Sequence, residues 1–332
     1  MANFPKTVTF KEEGPREGFQ IEKNFVPTAR KIEFINALSK TGLKTIQIVS
    51  FVNPKLVPNM ADAEEVVAGI DLEPGVEYTG LWLNAQGFER AKATGRLAMK
   101  GNLNLCASES FLQRNQNRTS EQQIAELSST IERYKSHDMP IEQGGISAAF
   151  GCNFEGDVPV SKLVDLAKVI IDATAEHGVT LKQFMLLDTM GWGTPDRIKR
   201  ALGALQDIYP DLEYALHLHD TRGMGIANAY AGLEMGVAHF DACVAGLGGC
   251  PFAGNKAAAG NVCTEDLVFM CEEMGIDTGL DLDVLAECAR LAEDVVGHPL
   301  PGSIMRGGSL DNLREKSAAK IEASSARRLS PS

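Results

Sequence analysis

His217 and His219 stand two residues apart in the run LHLHD, with Asp220 next. Side chains alternate between the faces of a strand, so residues two apart project together. Two imidazoles presented at a strand end beside a carboxylate have the donor chemistry of a divalent metal site. The plain alternative is a pair of hydrogen-bonded structural histidines. With only six histidines in the chain, a pair so placed favours metal binding. A second concentration of chemistry lies in EEGPREGFQ, where Glu12, Glu13, Arg16 and Glu17 crowd around two glycines and a proline after the β-rich Val8, Thr9 and Phe10. Gly and Pro make turns, and charge gathered in a turn at a strand end can build a site.

Three further positions carry polar or reactive groups in unusual settings. Asp188 follows the apolar run Phe184 to Leu187. It either orients a ligand or acts directly, since Thr194 is the better cap for the helix that follows. Gln47 sits between Ile46 and Ile48. A buried amide must be satisfied, either by reaching the site or within the fold, and the residues leave both open. Cys250 lies in GLGGCPFAGNKAAAG, a glycine-rich segment with neither helical nor strand period. Such a segment can be a mobile lid carrying an acid or nucleophile. Taken alone, it reads better as a flexible turn with a small hydrophobe in it.

These residues need elements to position them. Short β-rich runs alternate with amphipathic helical runs. Eight strands are expected: 7–12, 45–49, 78–83, 100–107, 141–149, 183–187, 214–218 and 239–245. Eight βα units in about 250 residues match a (β/α)8 TIM barrel, an α/β fold whose sites form at the C-terminal strand ends. An open doubly wound sheet is less suitable, because no GxGxxG turn follows the first strand. The barrel is expected as one domain over residues 1–312, including extra C-terminal helices. Residues 313–332 are small, polar and basic and are expected to be disordered. Ser120 with Gln123 fits a capping box.

Composition narrows the function classes. The chain has 332 residues, a formal net charge of −12, 44% hydrophobic and 23% charged residues. The acidic balance argues against nucleic acid, which needs basic patches. No apolar run is long enough for a membrane span, and the start has no signal-peptide core. Seven cysteines without CxxC spacing suit a reducing compartment, so a cytosolic protein is expected.

Taken together, GPREGFQIEKN, SFVNPKLVPNMAD, SESF, GCNFEG, LLDTMGWGTP, LHLHDTRGMGIAN and VAGLGGCPFA with the later GNVCTEDLVFM resemble the 3-hydroxy-3-methylglutaryl-CoA lyase family. These are metal-dependent TIM-barrel lyases related to isopropylmalate and homocitrate synthases. The motifs run in order from about residue 8 to residue 290. The resemblance implies retro-Claisen cleavage of an acyl-CoA, with a divalent Mg2+ or Mn2+. Ligand softness alone leaves Zn2+ open. It implies Glu17, His217, His219 and Asn261 as metal ligands, Arg16 as the catalytic arginine and Cys250 as the lid cysteine. Asp188 and His217 are implied in proton transfer. Lys23, Gln47, Ser50 and Arg16 are implied in binding the acyl-CoA, and a homodimer or larger homo-oligomer is expected.

The chain departs from the family's usual pattern at two of these positions. Glu17 stands where the family usually carries Asp, and neutral Gln47 where it usually carries Glu. The second change is expected to lower the charge around the metal by one. Both bear on which 3-hydroxyacyl-CoA is cleaved, with citramalyl-CoA as the alternative to 3-hydroxy-3-methylglutaryl-CoA. A barrel that binds but does not catalyse is the third reading.

Overall fold

Alternation of short β-rich and helical segments produces eight parallel strands, each followed by helical chain. A computed structural model describes residues 4–248, 260–311, 313, 314 and 317. The strands are β1 (Thr9–Glu12), β2 (Thr45–Ser50), β3 (Glu77–Leu81), β4 (Gly101–Cys106), β5 (Ile141–Ser147), β6 (Gln183–Leu187), β7 (Glu213–His217) and β8 (His239–Ala242). Their spatial order is β3-β2-β1-β8-β7-β6-β5-β4. β1 therefore lies between β2 and β8, which curls the sheet into the expected barrel. The β3 and β4 edges share no ladder, and the backbone bond from Ala98 N–H to Tyr78 C=O (2.8 Å) spans that seam.

The helices bury one stripe each against the strands. In Thr28–Leu38 the stripe is Phe34, Ile35 and Leu38, all fully buried, the spacing that a period of 3.6 puts on one face. The added C-terminal helix Leu282–Val296 packs on Thr28–Leu38 and on the turn Val244–Gly246. It ends at Gly297, whose φ of 73° is the left-handed cap that glycine adopts without strain. No helix among the described residues is long and apolar enough to cross a membrane.

Several boundaries move for local reasons. β5 stops at Ser147 because Ala148 takes φ 52°. β8 stops at Ala242, and the residues from 244 form a short 3-10 turn with Ala245 at φ 59°. β7 ends at His217, so His219 lies beyond the ladder and bridges Asn261 instead. The capping box sits one residue earlier than expected. Thr119 accepts from Gln122 N–H, and Gln122 Oε1 accepts from Thr119 N–H. Gln123 instead accepts the Cys106 N–H of β4 at 2.9 Å. In the C-terminal segment Leu313, Arg314 and Ser317 are helical. Arg314 grips Glu273 at 2.7 Å and Asp311 at 2.9 Å.

Candidate active site

The first turn aims its charges by backbone geometry. After β1, residues Gly14–Gly18 form a single π-type turn with Pro15 at its start. The Glu17 N–H bonds the Glu13 carbonyl at 2.7 Å. Phe19, fully buried against Phe34, anchors the end of the turn to the first helix. Gly18 is required by close approach, since a Cβ there would lie 2.8 Å from the Leu247 Cβ. The β1 turn thus packs directly on the loop that follows β8.

Glu17, His217 and His219 converge so that their ligand atoms lie within 4.8 Å of one another. Glu17 Oε1 is 3.0 Å from His219 Nε2 and accepts from Asn261 Nδ2 at 3.0 Å. Glu17 Oε2 is 2.9 Å from Arg16 Nη1 and 3.7 Å from His217 Nε2. The two imidazoles stand nearly perpendicular with centroids 5.1 Å apart. His219 Nδ1 lies 2.8 Å from the Thr189 carbonyl, which can only accept. Nδ1 therefore carries a proton, which leaves Nε2 as the nitrogen that faces the Glu17 carboxylate and could ligate a cation there.

A second observation fits the same ion. Asn261 is 1% exposed, and its Oδ1 has no hydrogen-bond partner among the described residues. A buried amide oxygen without a partner is costly, and metal ligation would satisfy it. One carboxylate, two imidazoles and one amide oxygen form a donor set suited to a divalent cation such as Mg2+, Mn2+ or Zn2+.

Behind these ligands lies a shell that the residue pattern did not single out. His217 Nδ1 faces Asp241 Oδ2 at 3.2 Å, and the β8–β7 register places Asp241 beside His217. A lone Asp inside HFDA was a signal of the same kind as Gln47. Burial opposes charge on His217, but Glu17, Asp241 and Glu13 outweigh it and raise the imidazole to about 10. Glu13 binds Lys11 Nζ at 2.5 Å and the Arg16 guanidinium. Arg16 also donates from Nε to Gln47 Oε1 at 2.5 Å, so Gln47 reaches the site through the arginine. The expected drop in buried charge at Gln47 is therefore offset by Glu13, a third carboxylate beside Glu17 and Asp241 in the same cluster.

The other expected residues stand in different relations to this centre. Asp188, 1% exposed, accepts from Trp192 N–H at 2.8 Å and Gly193 N–H at 2.9 Å. Burial raises its carboxyl above the usual range, and these bonds tie down the loop after β6. Ser50 Oγ donates to Gln20 Oε1 at 3.2 Å. Lys23 is exposed. Cys250 lies outside the described residues. Gln47 also borders a cavity of about 480 Å3 at the β3–β4 seam, with Trp82, Asn102, Asn104, Arg118 and Arg133.

A family model described as HMGL-like matches residues 7–292. The chain belongs to the HMGL-like family. Among the relatives of this HMGL-like chain is the mouse protein named 3-hydroxy-3-methylglutaryl-CoA lyase, cytoplasmic. It is 41% identical over 284 residues, 85% of this chain and 79% of the relative. The crystal structure of the Bacillus subtilis HMG-CoA lyase superposes with a TM-score of 0.82 at 37% identity, covering 90% of this chain and 97% of that one. An HMG-CoA lyase from Acinetobacter baumannii, solved with coenzyme A and 3-methylmalate, gives 0.81 at 36% identity, covering 93% and 97%. The HMGL-like barrel is thus common to all of them.

Proposed function

We propose that this carbon–carbon lyase cleaves 3-hydroxy-3-methylglutaryl-CoA to acetyl-CoA and acetoacetate. The observation that carries the reading is the unpartnered, buried Asn261 Oδ1 beside Glu17, His217 and His219, with Arg16 on the same carboxylate. Relatives named as HMG-CoA lyases at about 40% identity support the substrate. Glu17, His217, His219 and Asn261 would hold the divalent ion, Mg2+ or Mn2+. When bound, such an ion supplies positive charge that lowers the pKa of the substrate's 3-hydroxyl.

The chain's own groups do the rest. The 3-hydroxyl proton leaves to the Glu17 carboxylate beside His217, because an imidazole that would ligate the ion through Nε2 and faces Asp241 through Nδ1 has no lone pair left to accept it. The C2–C3 bond breaks, C3 becomes the ketone of acetoacetate, and the electron pair passes into the thioester as an enolate. The Arg16 guanidinium, held by Gln47, Glu13 and Glu17, stabilises the charge on the thioester oxygen. Cys250 returns a proton to C2, which releases acetyl-CoA. Asp188 acts by holding the β6 loop beside His219. Ser50 and Gln47 border the acyl end, and exposed Lys23 meets the phosphates of the CoA.

The test is direct. Purified protein with Mn2+ or Mg2+ is offered 3-hydroxy-3-methylglutaryl-CoA and, separately, citramalyl-CoA. Acetoacetate from the first supports the reading. Absence of acetoacetate from the first with cleavage of the second moves the substrate to the alternative, and absence of both overturns lyase activity.

A further inference from the structure

Glu13 is 2% exposed, yet it carries no backbone-capping duty that explains a buried carboxylate. Its two oxygens are taken by cations. Lys11 Nζ lies 2.5 Å from Oε1, and the Arg16 Nη2 bonds Oε2. Oε2 is also 3.9 Å from His217 Nδ1. Each nitrogen of the Arg16 guanidinium then has its own partner: Nε on Gln47, Nη2 on Glu13 and Nη1 on Glu17. Glu17 is the partner shared with the ligand cluster. Glu13 and Gln47 are the two that bind Arg16 independently of that cluster.

Around Arg16 lie further charged groups: Asp241 faces Lys11 and His217, and Lys11 also binds Glu13. Glu13, His217 and Asp241 also satisfy the geometry of a second metal group. That place is already filled, because Lys11 Nζ sits 2.5 Å from Glu13 and 4.0 Å from Asp241. A carboxylate in place of Gln47 would be a third anion on the same arginine, where Glu13 and Glu17 already bind two of its nitrogens.

We propose that Glu13 is a positioning residue that orients Arg16 for the enolate, and that Glu13 and Gln47 share this duty as one charged and one neutral arm. The inference rests on the lyase reading. It implies that the charge can be exchanged between the arms. Among the described residues, Glu13→Gln removes the only anion that binds Arg16 outside the ligand cluster. Gln47→Glu alone adds an uncompensated one. The pair Glu13→Gln with Gln47→Glu restores one carboxylate and one amide around the same guanidinium.

Each single variant is expected to lose tenfold to a hundredfold in kcat, roughly the cost of a misplaced reacting group or a lost supporting partner. The KM for the acyl-CoA should move less than kcat, because Glu13 and Gln47 act on the developing enolate through Arg16. The double variant should regain most of the loss, giving strong coupling in a double-mutant cycle. Thermal unfolding of all four proteins separates this from a folding defect. A Glu13→Gln enzyme with wild-type kcat overturns the proposal. So does a double variant whose loss is the product of the two single losses. Lack of turnover by the unmutated protein would instead refute the lyase reading, which keeps the two failures apart.

Discussion

Glu12 and Glu13 are neighbours in the chain, both buried, and they meet opposite environments. Strand alternation sends them to opposite faces of β1. Glu12 faces the outer layer, where it accepts from Gly14 N–H, Val244 N–H and Thr264 Oγ1 at 2.7–2.9 Å. Burial dominates there and raises its carboxyl to about 7. Glu13 faces the barrel interior. Burial acts on it in the same direction, but Arg16, Lys11 and His217 outweigh it and hold the carboxyl well below its usual value. Hydrogen-bond donors alone make Glu12 a clamp between the β1 turn and the β8 loop, with Glu265 doing the same through Ala245 N–H. Formal cations make Glu13 part of the site. The residue type does not decide which role a buried carboxylate takes; the charge of its partners does.

This contrast can be broken in order of effect. Arg16→Ala removes the cation that defines the inner face, and turnover is expected to fall by at least a hundredfold to a thousandfold, as for loss of a key oxyanion partner. Steady-state kcat on the preferred thioester reads this, and near-normal kcat would remove Arg16 from the chemistry. Asp241→Asn keeps the shape beside His217 but deletes its charge. It is expected to cost tenfold to a hundredfold in Mn2+ affinity or activity, read by metal titration alongside turnover. Unchanged values for both would show that Asp241 does not orient His217.

The outer face predicts a pH effect without a catalytic one. Glu12 has a folded value of about 7 against an ordinary 4.5. Its contribution to stability is therefore fully present below about pH 4.5 and is lost as pH rises through about 7. Glu12→Gln mimics the neutral form, so the difference in unfolding free energy between wild type and variant should tilt across that window and level off above it. At about 1.4 kcal/mol for each pH unit over this window, the whole effect is on the order of 3–4 kcal/mol. Denaturant melts at pH 5, 6, 7 and 8 measure it, and a flat difference would place Glu12 among ordinary carboxylates. Thr119→Ala lies outside both clusters and loses its cap, so it should cost about 1 kcal/mol with turnover unchanged. Loss of activity there would mean that the contrast between the two faces is not local.

Much of this was legible in the residues. The period of apolar positions marks eight strands and their helices, and the structure moves most boundaries by only a few residues. The HxH pair announces itself, because two imidazoles two apart must share a face whether or not the ladder extends to the second. Less legible were contacts that depend on neighbouring strands. Asp241 meets His217 only through the β7–β8 register, and no local pattern within HFDA names its partner. Gln47 looked ambiguous for the same reason, since its role depends on an arginine thirty-one residues away.

By itself the sequence determines the alternation of strands and helices and the presence of the histidine pair. It also determines the turn that carries Arg16 and Glu17, because periodicity, turn chemistry and residue type act over a few positions. Only the tertiary structure decides that Glu13 and not Glu12 joins the site, that Asp241 backs His217, and that Gln47 binds Arg16. Those outcomes are set by burial and by the charges that distant strands bring within a few ångströms, and electrostatic interaction depends on that distance rather than on separation along the chain.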